Sequence, residues 1–315
     1  MDIQDRIAQL DWQREPYGLY EPIAYTMASG GKRVRPQLAV LGCQVFGGNE
    51  EDIAPAAMAL EVFHNFTLLH DDVMDHAEVR RGRPTVHVKW NENTAILSGD
   101  QMLIEAYKLL AQLPPDKLPQ ALQMFNRMGT EICEGQQYDV DFETQSNVSV
   151  DQYLEMIRLK TSVLLATALQ MGAYVAGADA ASQSTIYDFG IHLGLAFQIQ
   201  DDILDVWGDP KTFGKAVGGD ISCNKKTFVQ LTALNMSDSA TRHTLNEWFS
   251  QTLDDNTEKI AVVKAIYDQI EVRSVCEQVV DQYTQRALQL LDSLPQNAAT
   301  EALRQLAMKL HSRKM

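Results

Sequence analysis

EVFHNFTLLHDDVMDHAEVRRGRP, residues 61–84, is the stretch from which the chain is read. Val62, Phe63, Phe66, Leu69 and Val73 recur at helical spacing, which predicts a helix with one apolar side. That helix runs into three carboxylates, Asp71, Asp72 and Asp75, and Arg80 and Arg81 follow just beyond. Asp71 and Asp75 lie one turn apart on the same face. Carboxylates so placed add nothing to packing and suit a hard cation such as Mg²⁺, which takes oxygen ligands and keeps several waters. An isolated cluster of this kind is equally at home as a solvated acidic helix end.

Repetition separates the two possibilities. Residues 189–205, FGIHLGLAFQIQDDILD, again run an apolar helix into Asp201, Asp202 and Asp205. Two such helices with their acidic ends together would wall a cavity whose mouth holds a diphosphate through Mg²⁺ and whose apolar wall holds a hydrocarbon. That arrangement serves ionisation of an allylic diphosphate, where metal ions stabilise the departing anion and exclusion of water protects the carbocation.

Composition agrees. The 315 residues are 45% hydrophobic, ample for a sizeable core. A formal net charge of −15 argues against a general nucleic-acid role and requires that an anionic substrate meet local basic clusters. Cys43, Cys133, Cys223 and Cys276 show no CxxC pairing and read as reduced thiols of a cytoplasmic protein, mostly packing residues. Asp2, Asp5 and Arg6 break any apolar signal-peptide start. The longest uncharged run, 162–178, contains Gln170 and small residues and predicts a buried helix rather than a membrane span.

Outward from the two motifs the chain is helix after helix. An amphipathic starter spans residues 3–13, and a second helix starts near Pro22 and stops at Gly30-Gly31. GGKRVRP places Lys32, Arg33 and Arg35 in a loop entering a third helix, with Pro36 in its first turn, a cradle suited to a diphosphate. Residues 53–75 form the helix of the first aspartate cluster. RRGRPTVH, 80–87, is too rich in Gly, Pro and Arg for a regular element and forms a second basic loop. Residues 93–112 predict a helix with Leu97, Met102, Ile104 and Leu109 spread around it, hence well buried. Helices over 118–140, 150–175 and 182–207 follow, the second carrying Lys160-Thr161 in its middle. After Trp207 a loop holds Lys211, Lys215, Lys225 and Lys226, and five further helices to residue 311 carry no evident chemistry. No strand pattern, repeat or low-complexity linker stands out.

These motifs resemble the trans-type polyprenyl diphosphate synthases, the family of farnesyl and geranylgeranyl diphosphate synthases, from about residue 20 onward. GGKRVRP is similar to the family's GKRxRP element, LLHDDVMD to its first aspartate-rich motif, FQIQDDILD to its second, KTSVLL to its KT segment and GKAVGGDISCNKKT to its GK…D…K ending. The resemblance implies an all-α single domain over residues 1–315, a helical bundle around a central cavity, and a homodimer. It also implies condensation of isopentenyl diphosphate with an allylic diphosphate. Lys32, Arg35, His64 and Arg81 would bind isopentenyl diphosphate. Asp71 and Asp75 would hold two Mg²⁺ ions, and Asp201, supported by Asp205, a third. Asp72 and Asp202 would act indirectly or through water. Arg80, Lys160, Gln198, Lys215 and Lys225 would bind the allylic diphosphate, with Thr161 lining the place where the carbocation forms.

Two other functions share part of this pattern. A class I terpene cyclase pairs one DDxxD with a different second metal motif, and a noncatalytic partner subunit is expected to lack one or both clusters. Both clusters are present here. Product length rests on Phe66, which lies about 7.5 Å below Asp71 along the helix axis. A ring there can cap a cavity and the small Thr67 beside it cannot; Phe63, one turn further down, can form a second floor. Periodicity alone reads both rings as core. Resemblance to members with this pattern and no motif insertion implies geranylgeranyl diphosphate as product, with farnesyl diphosphate next.

Overall fold

The computed structural model describes residues 2–209 and 217–311, so Lys211 and Lys215 lie outside the described residues. Regular structure in it is helical apart from one small ribbon, an all-α architecture. The chain forms two compact units. The first comprises Met1–Asn126, Thr167–Ile186 and Pro295–Thr300, and the second Arg127–Ala166, Tyr187–Leu294 and Glu301–Met315.

In the first unit α1 is Ile3–Ala8, α2 Tyr17–Met27, α3 Val34–Val45 and α4 Glu50–Met74. The starter helix therefore ends five residues earlier than its amphipathic pattern predicts. α4 is the spine of this unit. A capping box between Asn49 and Asp52 starts it, and Glu50, Glu51 and Asp52 in the first turn complement the helix dipole. Ala54, Ala56, Ala57 and Ala59 are all buried, so α3 and α6 (Glu92–Leu110) approach it closely. Asp75 is its C-cap.

Residues 80–87 are more regular than predicted. Val79–Arg80 (β1) pairs antiparallel with Arg83–Pro84 (β2), and Val86–Lys89 forms a short helix, α5. Arg81 at φ 53° and Gly82 at φ 73° form a two-residue left-handed turn of the kind that matches strand twist. Tyr25 ties the ribbon to α2: its hydroxyl donates to the Pro84 carbonyl at 2.9 Å and the Arg83 guanidinium lies 3.9 Å over its ring.

α6 corrects a second expectation. Met102 and Leu109 are buried, but Leu97 is 59% exposed and Ile104 54%, with Ile96 also exposed. The apolar residues that circle α6 exceed what α4 can cover, and those on the far side form a stripe facing out. Cys43 and Cys276 are buried thiols, pushed up by burial to about 11 and about 12, whereas Cys133 and Cys223 are exposed.

The second unit packs around Ile199, Ile203, Phe228, Val229, Leu245, Val263 and Tyr267. The helices Leu118–Thr144 (α7) and Ala180–Trp207 (α10) contribute residues to both units. The helix predicted over 150–175 is interrupted. α8 (Val150–Ile157) passes into a π-helical turn, Arg158–Ser162, before α9 (Val163–Val175). Two glycines make room for this turn. A Cβ at Gly135 of α7 would strike the Lys160 backbone, and one at Gly194 of α10 would strike Ser162. No helix of the described residues is long and apolar enough to cross a membrane.

Candidate active site

In the second unit, the end of α10, the π turn and residues 220–227 enclose a polar cavity of about 210 Å³. Asp201, Asp202, Asp205, Asp139, Asp220, Lys160, Lys225, Thr161 and Gln198 all line it. The three aspartates of α10 differ in what they do. Asp202 is buried and accepts from the Tyr153 hydroxyl at 2.6 Å, the Phe228 N–H at 3.0 Å and the Gln198 amide at 3.3 Å. Burial, and then the charge of Asp220, push it up to about 7 against the pull of those donors. Asp205 is also buried and accepts the Asp220 N–H at 3.0 Å. Asp201 is partly exposed.

The π turn aims Lys160 at Asp139, 2.6 Å away, so this lysine points into the cavity. Lys225 approaches the same carboxylate at 3.7 Å. Burial opposes ionisation of Asp139, but the charges of Lys225 and Lys160 outweigh it and hold the group below the usual carboxylate range. Thr161 donates to the Gln198 amide oxygen at 3.5 Å. π turns frequently mark functional sites, and here one sets two adjacent polar side chains on an otherwise apolar helix.

In the first unit Asp71 is partly exposed, Asp75 is exposed, and Asp72 between them is buried against Arg80 at 2.7 Å. Burial raises Asp72, opposed by that guanidinium. Beside them is a cluster of cations, Arg35, Arg80 and Arg81, around His64. Arg35 is pushed down to about 10 by burial, and its Nε is buried without a hydrogen-bond partner. Burial, then Arg35, Arg81 and Arg80, hold His64 well below its ordinary range, so it is neutral near pH 7. Arg81 donates to the Gly30 carbonyl, and its guanidinium lies where a side chain on Gly31 (φ 132°) would project. The buried Glu61, raised by burial and restrained chiefly by Arg35, accepts from Asn65 at 3.2 Å and keeps Oε2 without a partner. Lys32 is exposed on the loop that enters α3.

Phe66 is half-buried, its ring 4.8 Å from that of His70 and 5.5 Å from Phe63, and Phe63 meets Phe125 at 5.2 Å. Thr67 donates to the His64 carbonyl at 2.8 Å.

Residues 16–270 match the family model described as polyprenyl synthetase. The chain belongs to that family. It is a trans-type prenyl diphosphate synthase, a transferase of prenyl groups. A geranylgeranyl diphosphate synthase of Methanosarcina mazei is 40% identical over 220 residues, 69% of this chain and 68% of that one. A geranylfarnesyl diphosphate synthase of Natronomonas pharaonis is 34% identical over 312 residues, covering 93% and 89%. A solved geranylgeranyl pyrophosphate synthase superposes with a TM-score of 0.92 at 45% identity, covering 99% of this chain and 96% of that one.

Within this prenyl synthase, Lys160, Thr161, Gln198, Asp201, Asp205 and Lys225 are brought together in one unit. Arg35, His64, Arg80 and Arg81 cluster in the other, on or beside α4. Several partners were not legible in the motifs. Asp139 stood in a polar run with nothing to pair it with Lys160, and Tyr153 read as plain core. Glu61, Asn65 and Asp220 gave no signal beyond being polar near a motif.

Proposed function

We propose that this prenyl synthase condenses isopentenyl diphosphate with allylic diphosphates to geranylgeranyl diphosphate, the product that names several of its relatives. The observation that carries the two-substrate assignment is the buried basic cluster around Arg35. Three guanidinium groups crowd a neutral imidazole there, and a buried donor has no partner. An anion with several acceptor oxygens satisfies that arrangement. Arg35, Lys32, Arg81 and His64 bind the isopentenyl diphosphate, with His64 neutral.

The allylic diphosphate goes to Lys160, Lys225 and Lys215, with Gln198 and Thr161 flanking the carbon that becomes cationic. Lys160 and Lys225 both approach Asp139, and in a cavity that also carries Asp201, Asp205 and Asp220 these two ammonium groups are the point charges that meet the leaving group. The apolar residues around the π turn exclude water from the cation. No side chain stands out as a dedicated base, so the departing diphosphate takes the final proton.

The carboxylates fit Mg²⁺. Among the described residues no three His, Cys, Asp or Glu form a metal site by themselves. A small hard cation is commonly held by one or two carboxylates plus substrate phosphates, and Asp71 with Asp75, and Asp201 supported by Asp205, offer such sets for three ions. When bound, the ions neutralise diphosphate charge and stabilise the leaving anion. Asp72 and Asp202, engaged by Arg80 and Tyr153, hold the surrounding structure instead. The chain acts in the cytoplasm as a homodimer, and the exposed stripe Ile96, Leu97 and Ile104 of α6 supports the second statement.

The test is to incubate purified protein with Mg²⁺, isopentenyl diphosphate and each allylic starter, and to size the dephosphorylated products. A twenty-carbon prenol is expected, and Asp71→Asn or Asp201→Asn should lower turnover by roughly 10² or more. Cyclised products formed without isopentenyl diphosphate, or no product at all, would overturn the proposal.

A further inference from the structure

The turn that presents Lys225 lies between the short helix Gly219–Ser222 (α11) and Phe228–Met236 (α12), and it is held from two sides. Towards the cavity, Asp205 accepts the Asp220 N–H and Asp202 accepts the Phe228 N–H, each at 3.0 Å. On the other side stands Lys259, from the helix Thr257–Gln269, with a relative exposure of 0%. Its ammonium donates to Asn224 Oδ1 and, at 3.1 Å, to the Gln251 carbonyl. The Asn224 amide donates to that same carbonyl at 3.1 Å. Asn224 itself sits at φ 57°, a left-handed conformation that a short polar side chain tolerates. The next residue is Lys225, whose N–H returns to the Asp220 carbonyl at 2.9 Å.

A buried ammonium facing these two neutral acceptors loses its hydration without the compensation of an ion pair. Burial accordingly lowers its proton affinity. An apolar side chain of similar length would fill the same space at less cost, so packing alone does not account for a lysine here. What the amine does do is clamp Asn224 to Gln251, and Asn224 is the residue whose left-handed backbone turns Lys225 towards Asp139.

We propose that Lys259 is a positioning residue: through Asn224 it fixes the turn that sets Lys225 in the cavity, and so sets affinity for the allylic diphosphate. This rests on Lys225 being an allylic-diphosphate ligand. None of the residues of that helix carries a recognisable motif, and the connection is visible only in three dimensions.

Steady-state kinetics on the full-length enzyme with Mg²⁺, each substrate varied in turn, test it. Lys259→Met keeps length and removes the amine. Asn224→Gly keeps the left-handed backbone and removes the amide. Both should raise KM for the allylic substrate about tenfold, the scale of one charged hydrogen bond, and leave KM for isopentenyl diphosphate unchanged. Val263→Ala, one turn along the same helix and fully buried, should lower Tm while moving neither KM. Lys225→Ala is the reference. If it raises the allylic KM while Lys259→Met and Asn224→Gly do not, Lys259 has no positioning role and the assignment of Lys225 stands. If Lys225→Ala leaves that KM unchanged, the assignment of Lys225 itself fails. Should Lys259→Met not fold, Asn224→Gly decides alone; and a Val263→Ala variant with the same rise would show general softening, which overturns the proposal.

Discussion

Neighbouring aspartates in this chain do different work, because successive helix positions are rotated by about 100°. Asp71 and Asp201 reach accessible space, whereas Asp72 and Asp202 turn inwards, one onto Arg80 and the other onto Tyr153 and the Phe228 N–H. Asp202 makes stability pH-dependent. Its folded value is raised to about 7, so between the ordinary carboxylate range and pH 7 the native state holds a proton that the unfolded chain has released. Its contribution to stability therefore falls as pH rises through that window and is flat above it. Asp202→Asn removes this loss. In the metal-free protein, the difference in Tm between the variant and the parent should become more positive from pH 5 to pH 8, as followed by thermal melts in chelator. A difference that stays level would mean that Asp202 is ionised throughout.

At the scale of elements, periodicity located nearly every helix, because an apolar stripe is a local property of sequence. It did not reveal what depends on non-local partners. The π turn at Lys160 follows from close approach of Gly135 and Gly194 on two other helices, and the ribbon at 79–84 from a two-residue turn hidden in RRGRP. Leu97 and Ile104 were expected inside because periodicity reports apolarity, not what covers it. The site was legible where motifs repeat, and illegible at Asp139, Tyr153 and Lys259, which are paired with Lys160, Asp202 and Asn224, far off in sequence. The aromatic run on α4 carries its own prediction. Phe66 rests on Phe63, which rests on Phe125, so truncating Phe66 opens space above a second ring rather than an unlimited channel. Phe66→Ala should lengthen products by one or two isoprene units, and Thr67→Phe should shorten them. Chromatography of the dephosphorylated products reads both; unchanged lengths in both variants would assign the stop to another residue.

At the scale of the molecule, the stripe on α6 asks for a covering surface. Leu97 and Ile104 are exposed two turns apart on one side of that helix, with Ile96 exposed beside Leu97, an apolar face that a partner surface would cover. A double variant, Leu97→Glu with Ile104→Glu, should yield a folded monomer by light scattering and the parent a dimer; a dimer that persists in the variant would place the interface elsewhere. In the proposed reaction two diphosphates are bound by two different sets of cations, one around Arg35 and one around Lys160. Steady-state kinetics with each substrate varied in turn, on Lys32→Ala and Arg35→Ala against Lys160→Ala and Lys215→Ala, test this most directly. The first pair should raise KM for isopentenyl diphosphate and the second pair KM for the allylic substrate, each about tenfold or more for a lost charged contact. All four variants raising the same KM would contradict it.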